Sequence, residues 1–450
     1  MESRKSFSVN IEAVKRAQNF MHSRSMTAAE VDMEQSVQAF LSEMNNGLAS
    51  FDASLHKIPT YLNAEGDLPF ETPVIVLDAG GTNFRVAQVK FTRSGQTVIE
   101  KYQKFPMPGS QGFIGKEQFF ETIVDYMQDV LDSWSSSQPP HIGFCFSYPT
   151  EITPDKDGRL IHFSKEINAH EVEGELIGTN LRQALKKRGY SEPAGMVLLN
   201  DTVATLLAGK AASTEHPYSA FIGFILGTGT NSAYLEKNEN ISKIPGLPAK
   251  GAQIINIESG GFDKFRGGSI DQNFDNTTIK PGSYRFEKMI SGAYLGPLSS
   301  RVLEEAIEAG LFSAEAGHEI KQLLPLDTVT VDGLLHNPYD STNKLTKACS
   351  NPTDRSTCFT LVDTIMERAA KLAAVNLSAT ILKGEAGQDP AYPIAVCADG
   401  TTFFKSKDLM FRTRYYLKGY LQDQKGRYAE FIHNEDAPII GAAVAALLDI

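Results

Sequence analysis

Apolar residues return every three to four positions over the first fifty residues, at Val14, Ala17 and Met21 and again at Val37, Phe40, Leu41 and Met44, so the chain is expected to open with helices. Pro and Gly punctuation between Pro59 and Pro73 ends them. Residues 74–77 form a short apolar run, the turn Gly80-Gly81-Thr82 follows, and residues 85–91 resume an apolar alternation, which predicts a β-hairpin. A helical spacing over 119–131 precedes Ser135-Ser136-Ser137 and a strand over 142–146. Residues 196–199 read as a buried strand that runs straight into a helix over 202–210. A second hairpin pairs 221–226 with 232–235 around Gly227-Thr228-Gly229-Thr230. Farther on, 287–309 and 361–382 read as long amphipathic helices, 393–397 as a strand ending at Asp399-Gly400, and 439–450 as a strongly apolar terminal helix. The class is mixed α/β, with no low-complexity segment.

Both hairpin turns contain Gly-Thr-Asn, at 81–83 and 229–231, and each lies between two apolar strands. One tripeptide is weak evidence of duplication, but its placement suggests two similar α/β halves facing each other. Such turns present successive backbone N–H groups and Thr hydroxyls, and glycine lets a phosphate chain approach the backbone closely. Neither turn fits GxxxxGK[ST], and neither precedes a helix as a dinucleotide fingerprint does. Singly, each is as readily an ordinary hairpin. As an opposed pair they would clamp a triphosphate, with Asp78 placed to hold Mg²⁺ directly or through water.

Asn200-Asp201-Thr202 joins a buried strand to a helix, where the helix dipole favours an ionised carboxylate. Asp201 is then a plain N-cap or the single acceptor that a phosphoryl transfer to an alcohol requires. A sugar needs several Asn and carboxylate groups around its hydroxyls, and Ser147, Ser164, Lys165, Asn231, Glu258 and Glu287 all sit at ends of apolar segments or in Gly-rich turns. Taken one at a time, each is as readily a surface polar group or a cap.

The 450 residues are 42% hydrophobic, enough for large cores and two or three domains rather than disorder. A formal net charge of -11 argues against a nucleic-acid or anionic-membrane partner, which needs a basic field. Cys145, Cys349, Cys358 and Cys397 lack metal-ligand spacing and are expected as free thiols in a reducing compartment. The N-terminus lacks the apolar core of a signal peptide, and no stretch approaches the roughly 20 apolar residues of a membrane helix. A soluble, cytoplasmic protein is the expectation.

Against this background the sequence resembles the eukaryotic-type hexokinases from about Phe40 onward. The segment from Leu77 to Arg85 is similar to that family's first phosphate motif and Gly143 to Pro149 to the opening of its sugar site, while Ser164-Lys165 stands where the family has Thr-Lys. Leu199 to Thr205 is similar to the stretch holding its catalytic aspartate, and Leu226 to Asn231 to its second phosphate motif. Asn256 to Gly260 and Glu287 to Gly292 resemble its glutamate-bearing sugar segments, and Ala398 to Thr401 its adenosine-side motif. Departures are Phe163 for the family's Trp, Ser164 for its Thr, Glu258-Ser259-Gly260 for its Glu-Trp-Gly, and Asp436 to Ala442 for its Gly-Ser-Gly approach to the last helix.

The resemblance implies a two-lobed, actin-like (ribonuclease-H-like) α/β fold with a five-stranded mixed sheet in each lobe. Residues 66–199, completed by a C-terminal helix over 437–450, would be the small lobe, and 1–65 with 200–436 the large one. It implies ATP-dependent phosphorylation of the 6-hydroxyl of a hexose, with glucose expected and mannose or fructose as alternatives, to give hexose 6-phosphate and ADP at the entry to glycolysis. Asp201 would take the hydroxyl proton and Lys165 would contact that oxygen and the transferring phosphate. Ser147, Ser164, Asn200, Asn231, Glu258 and Glu287 would hold the sugar. Arg85 and Asp78 would serve the phosphates and Mg²⁺; Gly80, Gly81, Thr82, Asn83, Gly227, Thr228, Gly229 and Thr230 would line the phosphate path; Asp399, Gly400 and Thr401 would face the nucleoside. The competing readings are a non-catalytic sugar sensor and an actin-like or chaperone-like ATPase. The length fits one lobe pair, as a monomer or a homodimer, rather than a tandem enzyme.

Overall fold

The computed structural model describes residues 9–64, 66–163, 167–212 and 216–449. Its strands are β1 (Ile58–Pro59), β2 (Val74–Gly80), β3 (Asn83–Phe91), β4 (Thr97–Pro106), β5 (His141–Phe146), β6 (Thr150–Ile152), β7 (Gly158–Leu160), β8 (Gly195–Leu199), β9 (Ala220–Leu226), β10 (Thr230–Lys237), β11 (Ala252–Asn256), β12 (Ile394–Asp399) and β13 (Ala429–Ile432). Two large sheets result, ordered β4-β3-β2-β5-β8 and β1-β11-β10-β9-β12-β13, and β6 pairs with β7 apart from both.

Five strands of each sheet follow one plan. An antiparallel meander (β2-β3-β4, β9-β10-β11) is extended by two parallel strands on the side of its first strand, β5 and β8 in one sheet and β12 and β13 in the other. The repeated topology bears out the two similar halves read from the Gly-Thr-Asn turns. The second sheet exceeds the expected five strands because the short β1 pairs with β11, Ile58 opposite Asn256 and Pro59 opposite Ile255.

Helices Asp201–Ala212 and Ala437–Leu447 lie where the two sheets meet. One buried cluster joins Val76, Cys145 and Val197 of the first sheet, both helices, and Ala233 and Ile254 of the second. Small residues make this approach possible. A Cβ on Gly143 of β5 would stand 1.9 Å from the Ala442 carbonyl oxygen, and one on Gly441 would stand 1.8 Å from that of Ala204. The alanine-rich terminal helix is therefore wedged at backbone distance between β5 and helix Asp201–Ala212.

The predicted helix over 287–309 is broken. Arg285–Ile290 and Leu295–Glu308 are separate helices, because the Gly292 and Ala293 N–H groups between them turn away to the carbonyls of Gly227 and Thr228, at 2.8 and 3.0 Å. The helix expected over 361–382 is longer, Pro352–Lys383, and starts where Asn351 caps it. Among the described residues no helix is long and apolar enough to cross a membrane.

Candidate active site

β2 carries Asp78 and β3 returns with Arg85 directly opposite it, so the two charges meet across the hairpin. Arg85 Nη1 donates to Asp78 Oδ2 at 2.5 Å. Burial pushes the Asp78 carboxyl above its usual range against the opposing pull of Arg85, and the Asp201 charge pushes the same way as burial. Its other oxygen, Oδ1, is buried without a hydrogen-bond partner among the described residues, and the weak thiol donor of Cys145 lies near this carboxyl. A carboxylate with one unsatisfied oxygen fits Mg²⁺, which takes one or two protein carboxylates and completes its shell with phosphate oxygens and water.

The turn of this hairpin is Gly81-Thr82, with Gly80 paired to Asn83. Gly81 has φ 74, a backbone region open to glycine, and the Tyr148 hydroxyl donates to its carbonyl at 2.5 Å. Thr82 is exposed at the tip. Tyr148 was not singled out in the sequence, since nothing local marks it as the residue that pins a turn 67 positions earlier.

In the second hairpin the loop is Gly227-Thr228-Gly229. The Gly227 carbonyl accepts from Gly292 N–H and, at 2.8 Å, from the Thr402 hydroxyl; Glu287 Oε2 accepts from Thr230 N–H at 2.9 Å. Asp399 ends β12 opposite Ile225, and Gly400 (φ 117) passes so near Leu226 that an added Cβ would stand 2.3 Å from its carbonyl oxygen. Thr402 touches the loop, and Thr401, expected to face the nucleoside, is exposed at the first position of its helix.

β8 ends at Leu199, and Asn200 caps the helix that follows: its Oδ1 accepts from Thr202 N–H at 2.9 Å. The capping alternative for Asp201 therefore falls to its neighbour. Asp201 is half-buried, with the Thr202 hydroxyl 3.3 Å from its Oδ1. After burial, its charge is a further influence that raises the carboxyls of both Asp78 and Glu258.

Glu258 adopts a left-handed backbone (φ 59, ψ 48), a strained state for a side chain of this size that tends to be kept at working sites. Asn231 Nδ2 (3.0 Å) and Asn256 Nδ2 (2.9 Å) both donate to its Oε1. Asn231 Oδ1 accepts from the N–H groups of Ser232, Glu258 and Ser259. The expected sugar residue Asn231 thus also builds the Glu258 turn, and Asn256, which the sequence did not single out, shares that work. Burial raises Glu258, and it pushes Glu287 up to about 7 with help from the charge of Glu258. Ser147 follows β5, its N–H on the Ala79 carbonyl at 3.2 Å. Ser164 and Lys165 lie outside the described residues. Phe163 just before them packs against Tyr148 and Phe119.

The second glycine-threonine turn, Glu287, Asn231 and the Glu258 turn are tied into one network, and Asp201 stands at the start of the helix that packs between the two sheets. Sequence models of the family described as Hexokinase match residues 18–211 and 221–448. The chain belongs to the hexokinase family. Hexokinase-1 of Schizosaccharomyces pombe is 29% identical over 428 residues, 91% of this chain and 86% of that protein. Hexokinase-1 of Spinacia oleracea is 30% identical over 439 residues, 92% and 87% of the two chains. Among solved structures, the hexokinase of Schistosoma mansoni complexed with glucose superposes with a TM-score of 0.75 at 23% identity, covering 97% of this chain and 99% of that one. The two-lobed actin-like architecture follows, and as a hexokinase this chain is an enzyme that phosphorylates a hexose with ATP.

Proposed function

We propose that the hexose is phosphorylated on its 6-hydroxyl with Asp201 as general base, and that glucose is the hexose to test first, the sugar held by the Schistosoma mansoni neighbour. The reading rests on one observation: Asp201 is a half-buried carboxylate at the first position of helix Asp201–Ala212, relieved of the capping role by Asn200, and its charge helps raise the carboxyls of both Asp78 and Glu258. In the reaction the hydroxyl proton passes to Asp201. The sugar oxygen bonds to the terminal phosphorus as the bond to the bridging oxygen breaks, and ADP leaves with that oxygen.

Glu258, Glu287, Asn231, Asn200, Ser147 and Ser164 would orient the ring, and Lys165 and Arg85 would offset charge on the transferring phosphate. The turns Gly80 to Asn83 and Gly227 to Thr230 would hold the phosphates, and Asp399, Gly400 and Thr401 the nucleoside. Asp78 would hold Mg²⁺, which screens the phosphate charge when bound.

We take residues 66–199 with 437–450 as the small lobe and 1–65 with 200–436 as the large one. In support, β2 to β8 lie within the first span and the terminal helix packs on β5. A hexose contacted from both lobes favours their closure, which excludes water, the smaller competing nucleophile. Entry to glycolysis, a cytoplasmic location, acceptance of mannose or fructose, and a monomer or homodimer complete the proposal.

ADP release measured with a panel of hexoses tests it. Asp201→Ala should keep hexose binding and lower turnover by at least ~10², the smaller end of what a positioned base contributes. Near-normal turnover in that variant removes Asp201 from the reaction.

A further inference from the structure

Helix Pro352–Lys383 passes behind the second sheet and is buried on all sides over its last turns, where Ala373, Ala374, Val375, Leu377, Ala379 and Ile381 are fully buried. Asn376 is the polar amide in the middle of that stretch and is itself fully buried, 0% exposed. Asparagine is a poor helix former, and an amide in a dry interior is tolerated only with partners. Its partners are specific. The Ser232 hydroxyl donates to Asn376 Oδ1 at 2.9 Å, and Asn376 Nδ2 donates to the Ser259 hydroxyl oxygen at 3.1 Å. Both serines are 0% exposed.

Each serine directly follows a residue of the polar turn: Ser232 follows Asn231 on β10, and Ser259 follows Glu258. The strained Glu258 backbone is held from the cleft side by Asn231 Oδ1, which accepts from the N–H groups of Glu258 and Ser259 at 3.0 and 3.3 Å. Asn376 closes the same ring from behind, tying β10 and the Glu258 turn to one rigid helix through a single flat amide. Ser259 stands where the family pattern has tryptophan, so this turn lacks a large side chain to wedge it and relies on hydrogen bonds.

We propose that Asn376 is a positioning residue for the hexose: the bridge Ser232–Asn376–Ser259 fixes the spacing between Asn231 and Glu258 without touching sugar or nucleotide. The inference rests on the functional reading above for its ligand. Loss of the bridge lets the Glu258 carboxylate wander from the place a sugar hydroxyl expects, which weakens hexose binding and leaves the two phosphate turns as they were.

The test uses the full-length protein, with glucose affinity measured calorimetrically without nucleotide, steady-state KM for glucose and ATP, and Tm. Asn376→Leu leaves two buried hydroxyls unpaired and is expected to lower Tm. The triple variant Ser232→Ala, Asn376→Leu, Ser259→Ala removes those orphans together with the bridge and should recover most of the loss, since replacing both partners of a buried hydrogen bond by apolar groups is nearly neutral. In the triple variant the glucose Kd and KM are expected to rise about five-fold or more, the scale of one to two hydrogen bonds, with KM for ATP within about two-fold of wild type. Unchanged glucose affinity in the triple variant overturns the inference and leaves the functional reading intact. Glucose and ATP constants that rise together, in step with lost Tm, overturn it too, because that is the mark of a merely structural residue. Wild-type protein that binds no hexose overturns both.

Discussion

The two Gly-Thr-Asn hairpins share a sequence and a place in their sheets, yet they are held in opposite ways. The first, Gly81-Thr82, is a two-residue turn held at its tip by the Tyr148 phenol on the Gly81 carbonyl and by Met107 N–H on the Thr82 carbonyl at 2.9 Å, with the Asp78–Arg85 pair behind it. The second, Gly227-Thr228-Gly229, is braced by three separate segments: the break at Gly292 and Ala293, the Thr402 hydroxyl, and the Glu287 carboxylate on Thr230 N–H. Neither partner of the first turn is a residue proposed for the sugar, whereas one brace of the second is Glu287, which we propose as a sugar ligand. On those proposed roles, nucleotide and sugar are mechanically linked through the second hairpin and not the first.

Breaking the brace is the strongest way to test this difference. Glu287→Ala removes the acceptor from Thr230 N–H together with a proposed sugar ligand, and kcat/KM for hexose should fall by ~10 to 10², the scale of hydrogen bonds to a charged group. KM for ATP should rise in the same variant; an ATP constant that does not move breaks the proposed link between the two sites.

Protonation provides a gentler version of the same test. Glu287 titrates near 7, raised by burial, so it is ionised above that pH and carries a proton below it. A sugar hydroxyl donates more strongly to the ionised form, so hexose affinity should grow with pH through about 7. KM for hexose should correspondingly rise as pH falls from 8 to 6, by up to about ten-fold per unit below the transition. Glu287→Gln should flatten that profile, and a profile that persists in the variant assigns the titration to another group.

The smallest effect is expected at the first turn. Tyr148→Phe removes one neutral hydrogen bond, about 0.5–1.5 kcal/mol, and should raise KM for ATP a few-fold with KM for hexose unchanged. A hexose constant that moves as much as the ATP constant would erase the contrast between the turns.

Much of the architecture was legible because it is written in short-range patterns. β2, β3, β9 and β10 follow from apolar runs separated by Gly-Thr turns, and helix Asp201–Ala212 from its start directly after a buried strand. The break at Ser291 was not legible, since it is decided by acceptors on Gly227 and Thr228 more than sixty residues earlier. The candidate site divides in the same way. Asp78 and Arg85 flank a Gly-rich turn, Glu258 sits in another, and Asp201 and Glu287 stand in the first turns of helices, places where a polar residue beside an apolar run is conspicuous. Tyr148, Asn256, Thr402 and Asn376 look like ordinary strand, helix or loop residues until the partner they reach is known.

By itself, then, the sequence determined the two duplicated halves, the paired turns and the carboxylates at their edges, because hydrophobic period and glycine conformation act over a few residues. Only the tertiary structure decided that Asn200 rather than Asp201 caps the helix, that Glu287 braces the second hairpin through Thr230 N–H, and that one buried amide ties β10 to the Glu258 turn. Hydrogen-bond partners are chosen by proximity in the folded chain, and proximity between residues 232, 259 and 376 exists only after three distant segments have packed.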